Sequence, residues 1–214
     1  HRRPGAPSRR AGHLPTPLPA STRGALRQRA QHTGTPLFMG LETLLAAVLR
    51  RHGQSDDMVI GTPVANRMHD DVAGLVGYFV NLVALRHQLD LGLSFAQLLE
   101  RARRHIVDAF AHQMLPFDEV VRASGAAGAG AHAPLVQILF TLQNNAIGEL
   151  DLHGLTCRVE RPERLNTFFD LNLEATETGS ALALHWEYSS DLFTAARIAR
   201  LAEQLESLIG GVLA

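Results

Sequence analysis

The chain has 214 residues, 46% of them hydrophobic, enough to bury a core and suited to one large domain. Its formal net charge of -1 gives the molecule no bulk attraction to nucleic acid or to an anionic membrane. The one cysteine, Cys157, excludes an internal disulfide framework, no apolar run approaches the ~18–20 residues that span a bilayer, and the N-terminus lacks an apolar signal core, so a reducing, cytoplasmic setting is expected.

Residues 1–20 carry arginine and proline without a single acid, which reads as an extended linker or arm outside the core. Ser21 is expected to cap a short helix over about 22–32. A stronger helix follows over about 36–52, with Leu37, Leu41, Leu44, Leu45 and Val48 at helical spacing and Gly53 as its stop. Met58, Val59 and Ile60 form a buried strand. Gly61, Thr62 and Pro63 then predict a tight turn, because proline fixes φ and glycine admits close backbone approach. After the polar Asn66-Arg67 and an acidic loop at His69-Asp70-Asp71, a second apolar run leads to Asn81 and Arg86.

Ser94 to Gln97 has the pattern of a capping box and opens a helix of about 95–113 whose inward stripe is Phe95, Leu98, Leu99, Ala102, Ile106 and Phe110. Pro116 starts a short helix with Phe117 in the core. The Gly/Ala-rich stretch 124–133 reads as a mobile loop, and Leu135 to Leu142 as a strand buried on both faces. Leu155 to Val159 is a further short strand and holds Cys157 as a small buried hydrophobe. Phe169, Leu171 and Leu173 alternate with Asp170, Asn172 and Glu174, and Leu182, Leu184, Trp186 and Tyr188 with Ala183, His185 and Glu187. Period two on both sides of Thr178-Gly179-Ser180 predicts an antiparallel hairpin with one face on the core. Thr194 caps a final helix with Ile198, Leu201, Leu205, Leu208, Ile209 and Val212 inward. Helices and strands mixed in this way predict an α/β two-layer sandwich, a mixed sheet packed by helices.

No catalytic string is self-contained. A His-Glu-x-x-His zinc motif, a Gly-x-Ser-x-Gly elbow and a phosphate-binding Gly-Lys-Ser/Thr loop are absent, and His132, His153 and His185 have no partner at ligand spacing, so no metal site is expected.

The segments MVIGTPVANR and GLVGYFVNLVALR resemble the condensation domains of nonribosomal peptide synthetases, with their I-G-T-P-V-A-x-R and G-x-F-V-N-T-x-x-x-R patterns. His112-Gln113-Met114-Leu115-Pro116-Phe117-Asp118 is similar to the family's H-Q-D-x-P-F-E motif, and LVQILFTLQN to the strand after its R-D-x-S-R-N-P-L motif. The chain departs at Leu82, where threonine is usual, at Met114 and Asp118, and at the last motif, which survives only as Pro134-Leu135.

The resemblance implies a chloramphenicol acetyltransferase-like half-domain. Residues 1–20 become an interlobe linker and 21–214 the C-terminal lobe, with the catalytic H-H-x-x-x-D-G motif in an N-terminal lobe. It implies amide-bond formation between a carrier-bound acyl or peptidyl thioester and an aminoacyl acceptor, in secondary-metabolite or antibiotic biosynthesis, with this chain alone incomplete. Implied partners are the N-terminal lobe, donor and acceptor peptidyl carrier proteins and adjacent synthetase domains, with neither nucleic acid nor membrane. No cofactor is bound by the lobe itself; the carriers bring phosphopantetheine arms. Arg67 is implied to pair with the aspartate of the histidine motif, or else caps a surface turn. Asn81 faces the cleft, or closes a strand end. Gly61, Thr62, Pro63 and Tyr78 shape the tunnel, and His112, Gln113, Pro116 and Phe117 pack the lobe. A docking module without catalysis and an epimerisation-type acyltransferase half are the alternatives.

Overall fold

The computed structural model describes residues 5, 7–53, 55–90, 92–126, 133–143, 164–178 and 181–213. The predicted strand Leu155 to Val159, Cys157, His132, His153, Gly179, Ser180 and most of the Gly/Ala-rich stretch lie outside them.

The strands are β1 (Ala11–Leu18), β2 (Asp57–Val64), β3 (Asn81–Gln88), β4 (Ile138–Gln143), β5 (Leu171–Thr178) and β6 (Ala181–Ser189). They form a six-stranded sheet in the order β1-β6-β5-β4-β2-β3. The pairs β1/β6, β6/β5 and β2/β3 are antiparallel, while β4 runs parallel to both β2 and β5. The helices are α1 (Ala20–Thr33), α2 (Leu37–His52), α3 (Asp70–Ala73), α4 (Phe95–Ala111), α5 (Phe117–Ser124) and α6 (Ala195–Leu213). The mixed sheet packed by helices is the expected α/β architecture.

The core lies between one sheet face and the helices. Leu171, Leu173, Leu182, Leu184, Trp186 and Phe140 point from the sheet into Leu41, Leu44, Leu45 and Val48 of α2 and Ile198, Leu201, Leu205 and Ile209 of α6. These are the helical stripes that the spacing predicts; each fully buried aliphatic side chain contributes ~1.5–3 kcal/mol. Phe38 joins the layers, its ring centroid 5.4 Å from Phe140 and 5.7 Å from Phe110. One buried polar tie crosses this core, His87 Nε2 to Glu42 Oε1 at 2.6 Å. The capping box of α4 is formed as read: the Gln97 N–H reaches Ser94 Oγ at 3.4 Å, and the Ser94 N–H reaches Gln97 Oε1 at 2.9 Å. Thr194 Oγ1 accepts from the Arg197 N–H at the start of α6.

Five expectations are corrected. Residues 11–18 are not outside the core: β1 pairs with β6 along its whole length, and Leu18 is buried. Its prolines mislead the eye. Pro15 and Pro17 are two apart on an edge strand, so both missing N–H groups fall on the same lateral side, where an edge tolerates them. Gly12 is required here, since a Cβ would stand 2.4 Å from Cζ of its cross-strand partner Tyr188. Second, Gly61-Thr62-Pro63 is no turn but the interior of β2, paired with Ala84, Val83 and Leu82. On its β2 side, β4 pairs with Ile60 and Gly61 alone, so Pro63 lies past the end of that ladder. Third, β4 starts at Ile138 rather than Leu135, which stands in left-handed backbone at φ 62; Phe140 on its core face and Leu139 on its other face are both buried, Leu139 beside Thr141 and Gln143 in the wall of a cavity. Fourth, α1 begins at Ala20 with Pro19 at its cap, and Ser21 makes no capping bond. Fifth, Phe117 is half-buried rather than in the core.

Two charged ties fix the periphery. Arg27 and Arg23 of α1 meet Glu177 of β5 at 2.8 and 3.2 Å, and the Arg27 guanidinium, foremost, holds the Glu177 carboxyl below its ordinary range. Arg86 grips Asp57 with two hydrogen bonds at 2.9 and 2.6 Å, lowering the aspartate likewise.

Candidate functional site

The sheet face turned away from the helices borders a cavity of about 730 Å³. Strand alternation builds its wall. Every residue that points up from β1, β6, β5 and β4 is a neighbour, across the pleat, of one pointing down into the core. The register aligns His13 with Glu187, Glu187 with Asn172, and Asn172 with Leu139 in one cross-strand row. The next row runs from Pro15 to His185, Glu174 and Thr141.

Two histidines join these rows. His13 Nδ1 and His185 Nε2 are 3.1 Å apart, and His13 Nε2 is 2.7 Å from the carbonyl oxygen of Arg164. A carbonyl only accepts, so Nε2 of His13 carries the hydrogen. In the neutral ring its Nδ1 then accepts from Nε2–H of His185. The expectation that His185 is isolated is therefore wrong, because its partner lies 172 residues away on a strand that the proline content conceals. Glu187, only 8% exposed, sits on the same wall. These residues are visible in the sequence only as the polar half of the period-two pattern; the pairing of β1 with β6 gives that half a shared surface.

Arg67 sits beside Asn66, whose backbone is left-handed at φ 53. Its guanidinium donates to the carbonyls of Val72, of Leu75 at 2.8 Å and of Gly77 at 3.4 Å, and its Cζ lies 4.3 Å over the Phe79 ring. It thereby shapes the loop from Met68 to Val80, which displays Met68, Leu75, Val76, Tyr78 and Val80 to solvent. Tyr78, 89% exposed, stands at the cavity rim with Pro63 and Asn81.

Asn81 lines the cavity while its amide is engaged elsewhere. Nδ2 donates to the carbonyls of Gln113 and Leu115, each at 2.8 Å, and Oδ1 accepts the N–H of Phe117 at 3.2 Å. The side chain thus clasps the loop entering α5 to the start of β3. His112 is exposed and bonds through Nδ1–H to the Asp108 carbonyl at 2.9 Å, closing α4; Pro116 is the N-cap residue of α5. Gly61 faces Val136, whose Cγ1 would stand 2.5 Å from an added Cβ, so the glycine admits that side chain beside the cavity. Thr62 points the other way and is buried. Asn81 therefore stands with Tyr78 and Pro63 at one rim of the cavity and the histidine row forms the opposite wall, while Arg67 lies outside the lining and acts on the loop that carries Tyr78.

Among the described residues no three metal-ligating side chains converge, and no helix is long and apolar enough to cross a membrane. The arrangement is a hydrogen-bonding wall, able to bind and orient a polar ligand.

The model of the condensation domain family matches residues 1–214. The chain is 38% identical over 207 residues to phosphinothricin tripeptide synthetase PhsB of Streptomyces viridochromogenes, covering 95% of this chain and 17% of that protein. It is also 38% identical over 207 residues to malpibaldin synthetase of Mortierella alpina, covering 97% and 4%. Among solved structures, it is similar to the X-domain in its complex with OxyB from teicoplanin biosynthesis, with TM-score 0.88, 24% identity and coverage of 100% and 48%. The first condensation domain of the CDA synthetase gives TM-score 0.77, 22% identity and coverage of 95% and 45%. The chain thus spans a small part of these curated relatives and about half of the solved chains.

Proposed function

The chain belongs to the condensation-domain family of nonribosomal peptide synthetases, and from that premise we propose that it is the C-terminal lobe of an amide-forming unit and supplies one wall of its cleft. In that reaction the amine of a carrier-bound aminoacyl acceptor attacks the carbonyl carbon of a carrier-bound acyl or peptidyl thioester. The C–N bond forms, the C–S bond breaks, and the sulfur leaves as a thiol, taking up the proton that the amine gives away.

The observation that carries this reading is the sheet face turned away from the helices, with its cavity of about 730 Å³ and polar wall. Gln143, Thr141 and Glu174 beside Leu139 and Pro63 form a mixed lining that fits an amide-containing pantetheine arm. Holding two reactants in one cleft accounts for much of such a rate. In this reading the histidine motif belongs to the N-terminal lobe, so this chain alone is catalytically incomplete.

Arg67 has two duties. It holds the loop of Met68, Val76 and Tyr78 as an apolar surface for the N-terminal lobe, and it presents its remaining N–H donors to the aspartate of the histidine motif. Asn81 is a positioning residue: it fixes the segment His112 to Phe117 at the rim. Donor and acceptor carrier proteins and neighbouring synthetase domains are the remaining partners.

A second reading, a docking lobe without catalysis, draws on the same exposed loop. Hydrogen exchange separates the two. Adding the N-terminal lobe should protect residues 68–80, with carrier effects appearing only in the two-lobed assembly. Carrier binding to this chain alone favours the docking reading, and unchanged exchange in the loop contradicts the lobe assignment.

A further inference from the structure

The wall of the cavity holds a charge that no described residue neutralises. Glu187 lies on β6 with 8% of its surface exposed and faces the cavity, and among the described residues its carboxyl makes neither a hydrogen bond nor an ion pair. Its cross-strand neighbours are His13 on β1 and Asn172 on β5. Neither serves it. Both ring nitrogens of His13 are committed, one to His185 at 3.1 Å and one to the Arg164 carbonyl at 2.7 Å. Asn172 presents a buried Oδ1 that is itself without a donor. Arg164 lines the same cavity but forms no ion pair with Glu187.

Buried carboxylates are costly unless paired, and a buried polar atom without a partner calls for an explanation. Here the Glu187 carboxylate and the Asn172 amide oxygen stand side by side across β6 and β5, and among the described residues neither accepts a hydrogen bond. The complementary group is a cation with several N–H donors. From this we infer that Glu187 and Asn172 form a subsite for a protonated amine or guanidinium carried by a ligand in the cavity. This rests on the proposed condensation function and adds the ligand chemistry that this wall selects. Two sources fit, the acceptor's own amine in its protonated resting form and a basic acceptor side chain. Binding to either leaves the bond-forming step unchanged, since the subsite holds the ligand and transfers nothing. The histidine pair bounds the subsite on the β1 side and Glu174 on the side of the next row.

The chain itself, labelled with ¹⁵N, is titrated with n-butylammonium chloride, methylguanidinium chloride and n-butanol. Saturable shifts centred on Asn172 and Glu187 are expected for the two cations and not for the alcohol. Glu187→Gln should weaken cation binding by roughly ten- to a hundredfold, the range for a lost charged hydrogen bond. Equal shifts with n-butanol, or cation binding that Glu187→Gln leaves intact, overturns the inference. Should Glu187→Gln fail to fold, Asn172→Ala and Glu187→Asp, each expected to weaken the cations alone, serve the same comparison.

In the assembly with the histidine-bearing lobe and two loaded carriers, ornithyl and norleucyl acceptors distinguish the sources. A KM raised for the ornithyl acceptor alone identifies the basic side chain, and a KM raised for both identifies the reacting amine. No change in either contradicts the subsite. Absence of turnover by the wild-type assembly would instead count against the condensation function, and the titration stands apart from it.

Discussion

Asn81 and Phe117 are joined side chain to backbone, Oδ1 accepting the Phe117 N–H at 3.2 Å, while the same amide donates to the carbonyls of Gln113 and Leu115 at 2.8 Å. One residue at the start of β3 thereby anchors the loop between α4 and α5. Asn81→Ala removes three hydrogen bonds, so a loss of about 1–3 kcal/mol is expected in chemical denaturation. Asn81→Asp is nearly isosteric but sets a carboxylate against two carbonyls, and should cost at least as much. An aspartate variant as stable as wild type would show that the clasp does not contribute.

Arg67→Lys keeps the charge and removes the fork. A lysine cannot reach the carbonyls of Leu75 and Gly77 together while covering Phe79. Amide exchange across residues 68–80 should quicken while the core helices α2 and α6 keep their protection. Arg67→Ala should lower the turnover of the two-lobed enzyme more than it lowers the melting temperature of this chain. Equal damage to both would argue that Arg67 is only a local brace.

Gly12→Ala tests whether β1 belongs to the domain. The added methyl would meet the Tyr188 ring at 2.4 Å. Overpacking of this kind costs about 1–3 kcal/mol, and a lowered melting temperature follows. A linker would tolerate the change. Helical stripes such as Leu41, Leu44, Leu45 and Val48 are legible in the sequence because spacing alone decides them. Pro15 and Pro17 hide β1, because an edge strand tolerates missing donors and the edge is defined only once β6 is in place. For the same reason the His13–His185 pair is out of reach of the sequence: it needs a strand pairing that no local pattern encodes. Asn81 is legible by motif, but its three bonds reach a loop more than thirty residues on, which no reading of GYFVN supplies.

Glu177 sets an acid limit on stability. Its partners Arg27 and Arg23 lower its carboxyl in the folded chain, so their stabilisation is present above the carboxylate's unfolded range. It is lost as pH falls through the lower, folded value. Glu177→Gln should cost up to about 1 kcal/mol at neutral pH and flatten the acid side of the stability profile. An unchanged profile would show that the tie of α1 to β5 carries no free energy.

His13 and His185 have a fixed order of donors. With both rings neutral, each should appear as the Nε2–H tautomer in ¹⁵N spectra of the imidazoles, since the Arg164 carbonyl takes one hydrogen and Nδ1 of His13 the other. An Nδ1–H tautomer for His13 would break the chain of bonds described.

The central claim is that this chain is one half of a divided catalytic cleft. Its most direct test is single-turnover amide formation, followed by mass spectrometry of the acceptor carrier, with donor and acceptor thioesters loaded. Product is expected when this chain is combined with the histidine-bearing lobe, and none from this chain alone. Amide formed at the same rate without that lobe would contradict the claim.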